Sequence, residues 1–191
     1  MSNGTTPAIL GLLGWKPMTG YELKTALDGS VSNFWSESFG QIYPELRRLA
    51  EQGLVTSTGE GEDSGKLRRR YAITARGREV LKNWLAEPPK HRPPRSGLLL
   101  KVFFASQGDM GEIIKHVEQA RRIYADKLAA IKSKEDALKT TYPSHPDLPL
   151  WLITLSNGRH SYAATIAWCD ETIETLNNQQ NSAIASPGRT P

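Results

Sequence analysis

A short proline-rich segment divides this sequence of 191 residues into two parts. Four prolines fall within seven residues there, mixed with basic side chains. Proline disrupts both helices and sheets, because it lacks a backbone N–H and its φ is fixed. We therefore predict a linker over residues 88–97, between a first domain of residues 1–87 and a helical domain of residues 98–176. The polar residues 177–191 lack periodicity and predict a disordered tail.

Composition and motifs exclude several classes of protein. Cys169 is the only cysteine, so an intramolecular disulfide is ruled out, which fits a reducing, cytoplasmic setting. No apolar stretch approaches the roughly 20 residues that span a bilayer, and the first residues lack a signal-peptide pattern. The sequence has no CxxC, HExxH or GxSxG motif, and its four histidines are scattered. We expect no enzyme, no cofactor, no metal and no membrane partner.

The pattern of the first half predicts three helices in succession. A short apolar helix covers residues 8–15. Thr19 and Glu22 form a capping box for a second helix, which ends at Asp28 with Gly29 at its C′ position. The third helix lies within residues 38–52.

The third helix has an apolar face formed by Ile42, Leu46 and Leu49. Ser38 and Gln41 are a candidate capping box at its start. Pro44 belongs in a first turn, however, so the helix starts as late as Tyr43 on this argument. Gly53 then stops the helix.

A β-hairpin and a fourth helix complete the first half. Residues 54–58 and 66–73 predict two strands around a long, acidic, glycine-rich tip. Thr74 caps the last helix. Its predicted buried stripe consists of Val80, Leu81, Trp84 and Leu85.

This order of elements is that of a winged helix-turn-helix, and the charges fit it. Residues 66–82 carry seven basic side chains and one acidic one, whereas the rest of residues 1–87 carries four basic and nine acidic side chains. A basic cluster beside a hairpin tip predicts contact with DNA phosphates, and the alternative is a solvated strand face. In the hairpin the basic residues are Lys66, Arg68, Arg69 and Arg70.

The third helix is the expected recognition helix. Gln41 and Arg47 lie off its apolar face, and glutamine and arginine make bidentate contacts with base edges. Contacts concentrate at the N-terminal end of such helices, which favours Ser38, Gln41 and Tyr43 over Arg48. Two alternatives stay open. In one, Tyr43 packs against the protein instead of contacting phosphate. In the other, Gln41 only caps the helix. Two roles are open for the acidic side chain of Glu45. It forms an ion pair with a neighbouring arginine, or it prevents the binding of incorrect DNA bases.

The second half predicts helices only. A short helix covers residues 98–107, and Asp109 with Glu112 caps a long one that reaches residue 140. The last helix covers residues 150–176. Its apolar spacing of three and four residues resembles a coiled-coil seam. Helices of this length cannot bury their apolar stripes within one subunit, so we predict a homodimer through them.

The second half is also rich in aromatic residues. Phe103, Tyr124, Trp151 and Trp168 are candidate binding residues for a small aromatic effector. The alternative is a dimer core without a vacancy. Cys169 lies within the predicted seam and is expected to be an inert core thiol.

The sequence resembles the PadR family of bacterial transcriptional regulators. The resemblance rests on ILGLLGWKPMTGYELKTAL (9–27), FWSESFGQIYPELRRLAEQGLV (34–55) and RRRYAITARGREVLKNWL (68–85), and more weakly on LLLKVFFA (98–105) and IAWCDETI (166–173). It implies a winged-helix repressor of nearby genes that dimerises through its C-terminal helices. It further implies DNA contacts by Gln41, Tyr43 and the basic wing, and in some members release by an aromatic compound. One departure is Gly65-Lys66-Leu67, where the family often has a Gly-Arg-Pro-like entry to the wing.

We therefore expect a dimeric DNA-binding regulator that is mainly α-helical with a small β-hairpin wing. Its two recognition helices would lie about 34 Å, one DNA turn, apart on a palindromic operator. The alternative function is a winged-helix module that binds proteins without specific DNA binding.

Overall fold

The computed structural model describes residues 4–32, 34–58, 69–89 and 95–185. The chain forms two compact units, Met1–His91 and Arg92–Pro191. The boundary falls within residues 88–97, of which residues 90–94 lie outside the described part. Within the described residues, the elements of the first unit are α1 (Thr5–Trp15), β1 (Met18–Thr19), α2 (Gly20–Ser30), α3 (Phe39–Glu51), β2 (Val55–Thr58), β3 (Arg70–Ile73) and α4 (Ala75–Ala86).

The second unit is helical throughout the part that the structure describes. Its elements are α5 (Gly97–Phe103), a 3₁₀ turn (Ala105–Gln107), α6 (Met110–Thr141) and α7 (Leu148–Ala185). The predicted fold class, mainly α with a small β wing, is confirmed.

The capping box at the start of α2 is present as predicted. The Glu22 carboxylate accepts a hydrogen bond from the Thr19 backbone N–H at 2.7 Å, and the Glu22 N–H donates to Thr19 Oγ1 at 3.1 Å. The predicted end of this helix was wrong. Because the Val31 N–H still bonds to the Leu27 carbonyl, α2 continues through Gly29, which does not adopt a positive φ.

The recognition-helix candidate α3 begins earlier than the position of Pro44 suggested. Ser38 is its N-cap, and the Gln41 side-chain oxygen accepts from the Ser38 N–H at 2.8 Å. This contact fixes the start, so Pro44 lies inside the helix, where it has no N–H to donate to the Gly40 carbonyl. The helix ends before Gly53, whose φ of 67° lies in the left-handed region that favours glycine.

The sheet contains a strand that the sequence did not reveal. Its order is β1-β3-β2, and both pairs are antiparallel. Met18 lies opposite Tyr71, while Val55 lies opposite Ile73. Strand β1 has only two residues, too few to show an alternating pattern.

The core of the first unit lies among α1, α2, α3 and the sheet. Thirteen buried hydrophobic residues form it: Ile9, Leu10, Leu12, Leu13, Met18, Leu23, Leu27, Ile42, Leu46, Leu49, Leu54, Val55 and Tyr71. The buried stripe predicted for α4 was largely wrong. Leu81 packs on the core, but Val80, Trp84 and Leu85 are exposed, because the packed face of α4 is the one that carries Gly77 and Leu81, four residues apart. Gly77 lies on its packed face, against the Leu54 carbonyl.

The second unit is built on the antiparallel pair α6 and α7. Arg121 pairs with Asp170, and the Tyr124 and Tyr162 rings lie 5.6 Å apart. The residues buried along the pair are Ile114, Val117 and Ile131 of α6 and Leu155, Cys169 and Leu176 of α7.

The end of this unit differs from the sequence-based prediction. The last helix continues to Ala185, so the tail predicted for residues 177–191 is helical over its first nine residues. The reason is that no proline occurs between Leu176 and Ala185, and polar residues alone do not end a helix.

Candidate nucleic-acid interface

The orientation of α3 is set by three leucine and isoleucine side chains that are fully excluded from solvent. Ile42, Leu46 and Leu49 have no exposed surface. Ser38, Gln41 and Arg47, which the sequence predicted as DNA-binding residues, are exposed. The buried face therefore directs the other side of the helix outward.

The N-terminal end of α3 uses part of Gln41 for its own structure. The side-chain oxygen of Gln41 caps the Ser38 N–H, so the capping alternative describes a real contact. This bond uses one of the two lone pairs of the oxygen, so the oxygen and the amide nitrogen both keep hydrogen-bonding capacity for a partner. A bidentate contact with adenine would need both atoms.

Tyr43 packs rather than pointing outward. A Cβ placed on Gly20 would lie 2.5 Å from Tyr43 Cε1, so the ring fills the space above that glycine. The Tyr43 hydroxyl is buried and has no hydrogen-bond partner in the described part of the chain. The hydroxyl contact with phosphate that the sequence suggested is not available in this conformation. Tyr43 instead joins α2 to α3.

Adjacent arginines of α3 have different surroundings. Arg48 Nη2 lies 2.6 Å from the Glu45 carboxylate and donates to Thr6 Oγ1 of α1 at 2.8 Å. These bonds connect α3 to α1 and show that the arginine paired with Glu45 is Arg48. Arg47 is exposed and, among the described residues, makes no ion pair.

The arginines of the wing differ in the same way. Arg70 donates to the Pro17 carbonyl at 3.0 Å and to the Glu22 carboxylate at 2.9 Å, which ties β3 to the start of α2. The hydrogen bond from the Thr19 backbone N–H, with help from Arg70, holds the pKa of Glu22 below its usual value. Arg69 is exposed. Lys66 and Arg68 lie outside the described residues.

The loop before α3 is anchored by a buried carboxylate that the sequence did not single out. Glu37 Oε1 accepts from Thr5 Oγ1 at 2.7 Å and from Trp35 Nε1 at 2.9 Å. The Trp35 ring lies directly over Gly4, so this aromatic residue packs against the start of α1. Trp35 lies two residues from Glu37, but Thr5 lies 32 residues away in the sequence. No local sequence pattern therefore identifies Glu37 as the anchor of this loop.

Two exposed aromatic residues at the same end of the helix-turn-helix were also missed. Tyr21 of α2 and Phe39 of α3 stack with their ring centroids 6.1 Å apart. The Lys24 ammonium lies 5.9 Å from the centroid of the Phe39 ring. Only the folded structure brings α2 and α3 together here, although the spacing of Phe39 and Tyr43 is typical of one helix face.

The four predicted effector residues do not form one site within the chain. Trp151 packs against Tyr142 and His145, whereas Tyr124 packs against Tyr162. Phe103 is 79% exposed and contacts Phe104. Trp151 and Trp168 lie on one helix and are separated by roughly 25 Å at about 1.5 Å per residue. A single small molecule could not touch all four.

Other sites are not visible in the described residues. They contain no group of three metal-ligating side chains, and none of their helices is both long and apolar enough to cross a membrane. The Cys169 thiol is buried in the α6–α7 seam, and this burial raises its pKa.

Each of the two units matches a known protein family. Residues 9–83 match the model of the transcriptional regulator PadR-like family, and residues 94–177 match that of the C-terminal domain named virulence activator alpha. The chain belongs to the PadR-like family of transcriptional regulators. This is a family of regulators and not of enzymes.

Two PadR-like relatives show how far the similarity extends. The probable transcriptional regulator Rv1176c of Mycobacterium tuberculosis is 29% identical over 188 residues, which cover 91% of this chain and 97% of the relative. The negative transcriptional regulator PadR of Bacillus subtilis is 27% identical over 139 residues, 71% of each chain.

The PadR of Bacillus subtilis also has a similar fold. Its structure in complex with operator DNA matches with a TM-score of 0.76 at 24% identity, over 91% of this chain and 99% of that one. Its structure in complex with p-coumaric acid matches with a TM-score of 0.74 at 24% identity, over 92% and 99%. The winged helix-turn-helix and the long helical pair are thus both folds found in proteins of known structure.

Proposed function

We propose that this chain is a homodimeric repressor that binds a palindromic operator through α3 and the basic wing. The recognition helices of the dimer enter successive major grooves, about 34 Å apart. The similarity to a negative transcriptional regulator supports repression, rather than activation, of the target genes. The exposed N-terminal end of α3 supports the mode of binding.

The observation that carries this proposal is the division of the arginines into two classes. Arg48 and Arg70 are held by carboxylates of their own chain. Arg47 and Arg69 are exposed and, within the described residues, unpaired. An unpaired exposed arginine retains its full charge and all five donors for a partner, and DNA phosphates and guanine edges are the partners that it fits.

The proposed contact residues follow from this division. Ser38, Gln41 and Arg47 lie on the exposed side of α3 and face the groove. Arg69 contacts the backbone from the wing, and its sequence neighbours Lys66 and Arg68 remain predicted contacts. Tyr43, Arg48 and Arg70 position α3 and β3 instead.

The second unit supports dimer formation. Leu150 and Ile153 of α7 are 61% and 65% exposed, and Ile123 of α6 is 45% exposed. The two helices contain 32 and 38 residues, so they extend about 48 and 57 Å. A second copy of the chain would cover this apolar surface.

The first experiment is a fluorescence-anisotropy titration of the protein onto the DNA upstream of its own gene. A scrambled duplex is the reference, and both are measured at two salt concentrations. We expect tighter binding to the native fragment and weaker binding at higher salt, because phosphate contacts release counterions. Absence of binding to either duplex at low salt would favour the protein-interaction alternative.

Matched variants test the two arginine classes. We expect Arg47→Ala and Arg69→Ala each to weaken binding about tenfold and the Arg69 variant to lower the salt slope by about one. Lys132→Ala is the control, since it removes the same charge from an exposed position in the second unit. An equal loss in the control would mean that net charge alone drives binding.

We further propose that a small aromatic compound releases the DNA. Of the four predicted effector residues, Tyr124 has surroundings that suit an aromatic acid. Its ring meets Tyr162, and the Lys127 ammonium lies 5.2 and 5.7 Å from the two centroids. Addition of p-coumaric acid, the compound bound by the PadR of Bacillus subtilis, to the protein–DNA complex should lower the anisotropy. An unchanged signal at saturating concentration would count against release by this compound.

A further inference from the structure

Three aromatic rings form a continuous stack at the point where α2 and α3 begin. We call Tyr21, Phe39 and Tyr43 the aromatic ridge. The Tyr21 and Phe39 centroids are 6.1 Å apart with the planes 14° from parallel, and those of Phe39 and Tyr43 are 6.1 Å apart at 20°. The ridge thus crosses from one helix of the helix-turn-helix to the other.

Core packing does not explain the outer part of the ridge. Tyr21 is 58% exposed and Phe39 is 42% exposed, and neither belongs to the hydrophobic core of the first unit. Exposed aromatic residues that adjoin one another commonly mark a binding surface. This surface includes the start of α3, the helix that also carries the exposed Arg47.

The Phe39 ring is held in place before any partner arrives. Both Tyr21 and Tyr43 stack against it, and Tyr43 is fixed by its contact with Gly20. Lys24, which is paired with Asp28, places its ammonium 5.9 Å from the Phe39 ring. A ring held in this way loses little conformational entropy when it binds.

The position of Phe39 defines what it can contact. It is the first residue of α3, directly after the N-cap Ser38, and side chains at a helix start tilt toward the N-terminus. Residues at this end of a recognition helix contact base edges in the major groove. The apolar group on those edges is the C5 methyl of thymine, which phenylalanine contacts favourably.

We propose that Phe39, which stacks against Tyr21 and Tyr43, recognises the C5 methyl group of a thymine in each half of the operator. This inference rests on the proposed function, because it assigns a specificity determinant to the same DNA-binding surface. Phe39 has no hydrogen-bonding group, so its discrimination depends on the methyl group alone.

The test uses duplexes selected by the full-length protein from a random-sequence library, so that no operator need be known. In the enriched duplex, each thymine is replaced in turn by deoxyuridine, which lacks only the C5 methyl. We expect the affinity of the wild-type protein to fall about fourfold at one position of each half-site and to stay unchanged at the others.

Variants then link the effect to Phe39. Phe39→Ala should bind thymine and deoxyuridine duplexes equally, whereas Phe39→Leu should keep part of the difference. Trp84→Ala, which removes another half-exposed aromatic side chain from α4, should keep the full wild-type difference. Thermal unfolding of each variant verifies that the exposed position tolerates the change.

Each other outcome overturns the inference in a distinguishable way. A wild-type affinity that is unchanged at every deoxyuridine removes the thymine contact but leaves the proposed function standing. An equal deoxyuridine effect in wild type and Phe39→Ala assigns the methyl contact to another residue or to DNA shape. Selection without any enriched sequence would reject the proposed function, and the inference with it.

Discussion

The two units of this chain bury their apolar residues to very different degrees. Within the described residues, the first unit has thirteen buried hydrophobic side chains in one cluster. The second unit, of similar length, has seven: Ala105 in the 3₁₀ turn and six spread along helices of 32 and 38 residues. Its exposed apolar residues include Phe103, Leu150 and Ile153.

This difference shows which unit can be stable alone. A three-dimensional cluster surrounds each side chain with others, as in an ordinary domain core. A pair of long helices can bury only the one stripe along which they meet. The first unit therefore has its own core, whereas the second leaves apolar side chains exposed, which the proposed second subunit would cover.

The largest effect is expected from Leu46→Ala in the first unit. Leu46 has no exposed surface and lies at the centre of the α3 face, so its truncation should cost about 2–5 kcal/mol of unfolding free energy. Urea unfolding of the full chain measures the loss. If the variant lost less than about 1 kcal/mol, the first unit would not be the close-packed region described above.

A charged substitution in the second unit should act on assembly instead. Leu150→Lys combined with Ile153→Lys should shift sedimentation from dimer toward monomer, because two ammonium groups would be buried at the interface. Asn177→Lys with Asn178→Lys adds the same charge at exposed positions of the same helix and is the control. Unchanged sedimentation of the first variant would place the dimer contact elsewhere.

Two glycines of the first unit provide a finer measure of its packing. A Cβ on Gly77 would lie 2.2 Å from the Leu54 carbonyl oxygen, so Gly77→Ala should destabilise the unit by about 1–3 kcal/mol. A Cβ on Gly11 in α1 would meet nothing within 4 Å. Gly11→Ala should therefore stabilise by about 0.5–1 kcal/mol. Equal unfolding midpoints for the two variants would contradict the close approach of α4 to Leu54.

The smallest effect concerns pH. Because the folded structure lowers the pKa of Glu22, its contribution to stability is present above the pKa of the unfolded chain and is lost as pH falls through the lower folded value. The difference in Tm between wild type and Glu22→Gln should therefore be larger at about pH 7 than at about pH 3. We expect it to be small, since the carboxylate is partly solvent-exposed. A difference that stays constant with pH would show that the charge of Glu22 does not matter.

Local chemistry made much of the fold predictable. The capping residues Thr19, Ser38 and Thr74 act within three residues of themselves, and each is the N-cap of a helix, although Pro44 had suggested a start of α3 as late as Tyr43. The apolar face of α3 has helical spacing, so Ile42, Leu46 and Leu49 could be identified as buried. The family motifs also lie within continuous segments of the chain.

The candidate site was less predictable, because composition does not reveal the partner of a charge. Arg47 and Arg48 are neighbours in sequence, yet only Arg48 meets Glu45 and Thr6. Arg69 and Arg70 are likewise neighbours in the basic run, yet Arg70 contacts Pro17 and Glu22 whereas Arg69 is exposed.

The sequence by itself determined the helix caps Thr19 and Thr74, the buried face of α3, the basic character of the wing and the family. Tertiary structure alone decided the pairing of β1 with β3, the burial of Tyr43 against Gly20 and the separation of the aromatic residues predicted to bind an effector. The physical reason is the range of the interactions. Caps and helix faces depend on residues within about four positions, whereas these contacts join segments that meet only when the chain has folded.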